Sequence, residues 1–416
     1  MTRLLRIDCC AARLTVMAAV LAVAAAPRLL AQTPQPAPLT LPAAIERALA
    51  QNRTLLAARL QRPVDVAGIG VAGERPNPEL TYEAAKDTPR QAIGGTIPIE
   101  LGGKRQRRLD VAQATVAVTE ADLERTIAEV RNDVRRAYFD VIAADQRAAF
   151  AEDLRGLALR ARDAAKARVD AGDVPQSDLT QSSLALANSE NDLTAARGEA
   201  AASRAELNAL IGEAPDAPLV LSGDLSGGTL PSLQEAMAQA RQTNAALIVF
   251  DRQIAEETAK LELAKALQTP DASAGSAFTY DAQPDFSYGW RLNFGVTLPI
   301  FTKHKAGVLV EEAALARIKA ERDATEFAIS GAIASALARA SSAQEQLTRY
   351  QNDIFPLALQ AEQQAQAAYS GGQIGLPALV QALQTARDTR QRGLQAGLDY
   401  QHALADLERA IGAGVK

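Results

Sequence analysis

Between Phe286 and Leu298 the chain reads FSYGWRLNFGVTL, with an apolar side chain at every even position. Phe286, Tyr288, Trp290, Leu292, Phe294, Val296 and Leu298 share one side, and Ser287, Gly289, Arg291, Asn293, Gly295 and Thr297 share the other. A period of two is that of a strand with one apolar and one polar face, which predicts a strand over about 286–300. The preceding ASAGSAFTY, from Ala272, alternates less cleanly, and DAQPD between the two supports a hairpin whose first strand covers about 271–281. Leu80, Tyr82 and Ala84, followed by Ile93, Ile97, Ile99 and Leu101, predict a second pair over about 79–86 and 91–101.

The pattern elsewhere is helical. Between Pro98 and Pro175 there is no proline, and Gly156 is the only glycine between Gly103 and Gly172. Ala, Leu, Arg and Glu fill the interval, which predicts a helix over about 104–170, about 100 Å long at 1.5 Å per residue. AGDVPQ at 171–176 turns the chain into a helix over about 176–212. A second long helix is predicted over about 304–370, then the turn SGGQIGLP and a last helix over about 376–411. Pro356 interrupts that second long helix, and 200 residues earlier stands Gly156, so a bend is expected at the same level in both.

These elements repeat. Pro98 and Pro299 stand 201 residues apart, whereas Gly172 and Gly372, Leu179 and Leu379, Leu207 and Leu407, and Ile211-Gly212 and Ile411-Gly412 are all 200 apart. LTLPAAIERALAQN, from Leu39, has a weaker partner beginning at Leu230. The expected fold is mainly α with a small β part, in two repeats over 32–229 and 230–416, each a β-hairpin plus long antiparallel helices.

The N-terminus follows other rules. Arg3, Arg6 and Arg13 precede the apolar run from Leu14 to Ala26, and small residues lead to Ala31, as in a signal peptide over 1–31. Removing it takes away Cys9 and Cys10, so the exported chain would hold no cysteine and a net charge of -8 in place of -5. That acidity, without a cationic tract, argues against a nucleic-acid partner. Two histidines and no cysteine leave few soft ligands for a bound metal, and no catalytic set or cofactor motif emerges.

No later segment has 18 consecutive apolar residues, so a membrane role would fall to the strands. Seven of the 17 aromatic residues lie between Phe278 and Phe301, a composition suited to a barrel wall, although a soluble antiparallel sheet alternates in the same way. Four strands cannot close a barrel, and open edges are costly in lipid; three copies would supply 12 strands.

With its duplicated hairpins, its long helices and the segments RPNPEL (75–80), IPIELGGKR (97–105), AYFDVIAA (137–144) and AGDVPQSDL (171–179), the chain resembles the TolC-type outer membrane efflux proteins. RPNPEL and ELGGKR look most like the CzcC-type heavy-metal branch. The resemblance implies a homotrimer, with a 12-stranded β-barrel in the bacterial outer membrane and an α-helical tunnel in the periplasm. It also implies a periplasmic adaptor protein and an inner-membrane pump of the resistance-nodulation-division class as partners. The chain itself would be a passive conduit for heavy-metal cations and not an enzyme. A drug-efflux or type I secretion conduit, and a soluble periplasmic coiled-coil scaffold, are the alternatives.

On that resemblance the turns at Ala171, Gly172 and Asp173 and at Gly371, Gly372 and Gln373 form the adaptor-docking surface, and both glycines are also read as required by the backbone. Asp173 and Asp178 are read either as an acidic ring at the tunnel entrance or as caps of the following helix. Family acidic positions in the second turn correspond to the neutral Ala378 and Gln381. Phe286, Tyr288, Trp290, Leu292, Phe294, Val296 and Leu298 would face lipid. KRQRR at 104–108 is read as a solvated face, and His304 and His402 as isolated histidines rather than metal ligands.

Overall fold

A computed structural model describes residues 38–284 and 286–412. The segment read as a signal peptide, residues 1–31, lies outside the described residues. Helices α1 (Leu41–Gln51) and α2 (Arg53–Ala72) lead to strands β1 (Glu79–Ala84) and β2 (Gln91–Ile99), then to α3 (Lys104–Asp170) and α4 (Gln176–Ile211). The second half answers with α5 (Leu233–Thr243), α6 (Ala245–Ala266), β3 (Asp271–Ala282), β4 (Phe286–Thr297), α7 (Lys305–Arg349), α8 (Phe355–Ser370) and α9 (Leu376–Ile411).

The long helices differ at one level. α3 stays α-helical for 67 residues and passes through Gly156 without interruption. Its counterpart is divided: Tyr350–Ile354 form a π-helical turn between α7 and α8, with Pro356 just beyond. The hydrogen-bond ladder is therefore interrupted in the second repeat alone, beside Pro356. Proline lacks the amide a regular ladder needs, and the wider turn accommodates it; a lone glycine leaves the ladder intact.

Each repeat is closed by an asparagine. Asn52 caps α2, its Oδ1 accepting from the Thr54 and Leu55 amides at 2.9 and 3.1 Å, while its Nδ2 donates to the Leu210 carbonyl near the end of α4 at 2.9 Å. Asn244 does the same for α6 with Ala246 and Leu247, and donates to the Ala410 carbonyl of α9 at 2.8 Å. Both side chains are buried. Gly212 and Gly412 end α4 and α9 at φ of 80° and 83°, and a Cβ on Gly412 would lie 2.3 Å from the Thr243 carbonyl. Replacing Asn244 by alanine should cost about 1–2 kcal/mol for the lost cap, and more for the orphaned carbonyl. Thermal unfolding of the purified protein should show a lowered transition, with Asn244→Asp, which keeps only the capping oxygen, falling between.

The main core lies where these ends meet the middle of α3. Val134, Tyr138, Val141 and Ile142 of α3 pack with Leu55, Leu207, Ile211, Leu394 and Leu398. The linker between the repeats crosses this core: Leu39 and Leu221 form a parallel bridge, and the Tyr138 hydroxyl donates to the Leu39 carbonyl at 2.8 Å and contacts that of Ser222. A smaller core joins Ala236 and Ala240 of α5 to Ile333, Ala336, Leu407 and Ile411. α3 is further tied to α9 by Asn132, which donates to the Ala405 carbonyl, and by ion pairs of Arg135 with Glu408 and of Arg136 with Asp406.

Candidate functional site

Two regions at opposite ends of α3 carry the chemistry. At one end is a single antiparallel sheet in the order β1-β2-β3-β4. Its register aligns residues of like character across all four strands. Tyr82 pairs with Ile93, Ile93 with Phe278 and Phe278 with Trp290, making one row. Leu80, Gly95, Ser276 and Leu292 make another on the same face, as do Ile97, Ala274 and Phe294, and Ile99, Ala272 and Val296. The opposite face carries Glu79, Thr96, Gly275 and Asn293, and Thr81, Gly94, Ala277 and Arg291.

Among the described residues no helix packs on either face. Trp290 is 76 % exposed and Phe294 79 %, and Tyr288, Leu292, Val296 and Leu298 are also exposed. The side chain of Phe286 lies outside the described residues. Phe278 stacks on Tyr280 and Tyr288 at ring-centroid distances of 6.5 and 6.0 Å. A sheet with one bare aromatic face and one polar face suits a boundary between hydrocarbon and water. No described helix is long and apolar enough to cross a membrane.

The junction below the sheet corrects the reading of KRQRR as a solvated face at Lys104 and Arg108, while Arg105, Gln106 and Arg107 are exposed as read. Lys104 is buried and pairs with Asp271 at 2.7 Å. Arg108 contacts the Ala72 and Glu74 carbonyls and forms a two-pronged pair with Glu100, and Arg105 donates to the Gly73 carbonyl at 2.6 Å. Hydrogen bonding from Arg108 holds the Glu100 carboxyl below the usual carboxylate range. These cations fasten the end of α2 and the base of the sheet to α3. Their partners lie in other segments, so a local reading of the run could not find them.

His304 occupies the corresponding junction of the second repeat. It is the only described non-glycine residue with positive φ, 53°, where the first repeat has Gly103 at 71°. A side chain in that region costs about 1 kcal/mol, so His304→Gly should raise stability by that order; a lowered thermal transition would show that the imidazole compensates. His402 Nε2 lies 2.9 Å from Asp140 Oδ1. Among the described residues no three His, Cys, Asp or Glu gather as metal ligands.

At the other end of α3 the two turns are built alike. Gly172 donates to the Val169 carbonyl at 2.9 Å and Asp173 to that of Arg168 at 2.9 Å; Gly372 and Gln373 donate to Tyr369 and Ala368 at 3.1 and 2.8 Å. This is a Schellman closure, and it needs the positive φ that Gly172 (80°) and Gly372 (72°) supply. Ala171, Gly172, Asp173, Gly371, Gly372 and Gln373 are all exposed. The turns are held side by side by the Arg168 guanidinium, 5.7 Å from the centre of the Tyr369 ring, and by Tyr369, Leu379 and Ile374 packing with Ala161. The sequence gives no signal for this contact, because its members are 201 residues apart.

The capping role read for Asp173 and Asp178 is not what the turn uses. Pro175 is the N-cap of α4, with no side-chain capping bond. Asp178 sits in the first turn of α4, where a carboxylate opposes the positive helix end, and its second-repeat counterpart is the neutral Ala378.

The two ends define a TolC-like fold, with a small sheet bare on its apolar face at one end of long helical hairpins and paired turns at the other. Residues 44–213, most of the first repeat, match the outer membrane efflux protein family. It is 27% identical over 381 residues to the cobalt-zinc-cadmium resistance protein CzcC of Cupriavidus metallidurans, covering 90% of each chain. Its fold is similar to that of the transmembrane channel CusC, with a TM-score of 0.75 at 18% identity over 90% of this chain and 92% of that one. It is likewise similar to the open MtrE outer membrane channel of Neisseria gonorrhoeae, with a TM-score of 0.73 at 17% identity over 90% and 89%.

Proposed function

We propose that three copies of this chain close a 12-stranded barrel and continue it as a helical tunnel, forming the outer membrane exit of a tripartite efflux system for heavy-metal cations. The observation that carries the channel is the bare apolar face shared by all four strands, whose edges β1 and β4 are both unpaired among the described residues of the chain. In lipid such edges need partners, and a closed ring provides them. Metal as cargo is supported by the relative named for cobalt, zinc and cadmium resistance, alike along 90% of both chains.

In this reading the chain performs no chemistry. An inner-membrane pump of the resistance-nodulation-division class supplies the energy, and a periplasmic adaptor docks on the turns at Ala171, Gly172 and Asp173 and at Gly371, Gly372 and Gln373. Asp173 and Asp178 set negative charge at the entrance, tripled by symmetry, which raises the local concentration of cations. The test is the sensitivity of a strain lacking this gene. Hypersensitivity to zinc, cobalt or cadmium, restored by the gene, is the expected result. Sensitivity to dyes and antibiotics with unchanged metal tolerance would refute the cargo and retain the channel.

A further inference from the structure

The polar face of the sheet is stripped of bulk along its inner strands. On that face β2 and β3 present only Gly, Ala, Ser, Thr and Pro between Ala92 and Pro98 and between Ser273 and Thr279. Crowding keeps them small: a Cβ on Gly94 would lie 2.8 Å from that of Ala277, and one on Gly275 2.6 Å from Asn293 Oδ1. Long side chains on this face therefore come from the edge strands, Glu79 and Glu83 from β1 and Arg291 and Asn293 from β4. The Asn293 amide lies across Gly275, so it does not rise from the sheet.

Arg291 has nothing to lie against. It ends the row Thr81, Gly94, Ala277, Arg291, in which no neighbour is long enough to cover it. Its side chain is exposed, and among the described residues it has no ion pair and no side-chain hydrogen bond. It is also the one lysine or arginine in the four strands.

A lone arginine on an open surface would mean little, but a closed barrel turns this face inward. Twelve strands about 4.8 Å apart and tilted by about 40° make a ring of radius about 12 Å, into which an extended arginine reaches about 6 Å. Three guanidinium groups would then stand about 6 Å from the axis, inside the Debye length of about 10 Å at 0.1 M salt. Glu79 and Glu83 lie one row to either side and have shorter side chains.

We infer that Arg291, repeated three times, forms the ring that sets ion selectivity in the barrel, opposing cations at the exit where Asp173 and Asp178 favour them at the entrance. The inference rests on the three-copy channel proposed above. Fixed charge of opposite sign at the two ends slows passive entry of cations from outside, while the pump drives those that leave.

Ion permeation of the purified full-length protein in a planar bilayer tests it, under a tenfold gradient of potassium chloride around 0.1 M. Arg291→Glu should raise the potassium-to-chloride permeability ratio about fivefold and Arg291→Gln by less. The difference should vanish near 1 M salt, where the screening length is about 3 Å. Equal reversal potentials for all three proteins at 0.1 M would overturn the ring and leave the channel standing. A second measurement needs no ion flow. In a chain carrying Cys9→Ser and Cys10→Ser, Arg291→Cys should react with a membrane-impermeant maleimide in outer membranes, and Phe294→Cys should not. Protection of position 291 with reaction at 294 would put Arg291 against lipid and overturn the assignment. A single chain in mild detergent would overturn both the ring and the channel.

Discussion

Arginine in place of both Trp290 and Phe294 should remove the protein from the outer membrane. Both side chains stand on the uncovered apolar face, in rows that cross the sheet through Phe278, Ile93 and Tyr82 and through Ala274 and Ile97. Arginine facing lipid near the bilayer midplane costs about 2–4 kcal/mol, and two per chain in a three-chain barrel multiply that sixfold. Folding stabilities are of the same order, so assembly should fail. Asn293→Arg, between them on the polar face, is the control and should leave the protein in the membrane. Outer membrane fractionation distinguishes the two. Equal loss for Asn293→Arg would mean that the faces are reversed or that the strands do not meet lipid.

Valine at Gly372 should abolish export while leaving trimers in the outer membrane. The glycine holds φ at 72°, a region a β-branched residue enters only at a cost of about 1–2 kcal/mol or more, yet a Cβ there would meet nothing within 4 Å. The damage is therefore confined to the path of the turn. The turn closed by Gln373 and the Ala368 carbonyl would open, and the surface proposed to receive the adaptor would change shape. Gly172→Val should act in the same way. Gly198→Ala is the control, since Gly198 lies inside α4 with open space around it and alanine favours the helix. Metal tolerance should fall to that of the deletion strain for Gly372→Val and stay unchanged for Gly198→Ala. Wild-type tolerance in both glycine-to-valine variants would remove the docking role from the turns.

Much of this was readable in advance because the signals are local. Glycines at a fixed separation of 200 mark helix ends whose left-handed closure only glycine accepts easily, and β4 shows its two faces through unbroken alternation. The β2 segment QAIGGTIPI conceals its faces, because its glycines carry no side chain to alternate. Only the register, with Ile93 between Tyr82 and Phe278, turns four uneven strands into one apolar surface. Long-range partners were also hidden. Lys104 looks solvated until Asp271 is brought to it from 167 residues away, and Asn52 and Asn244 look like ordinary caps until their amides reach Leu210 and Ala410.

The central claim is a closed channel of three copies in the outer membrane. The most direct test is the native mass of the protein extracted from purified outer membranes in mild detergent. Three chains in the outer membrane fraction is the result this account predicts. A single chain, or protein recovered in the soluble periplasm, would contradict it.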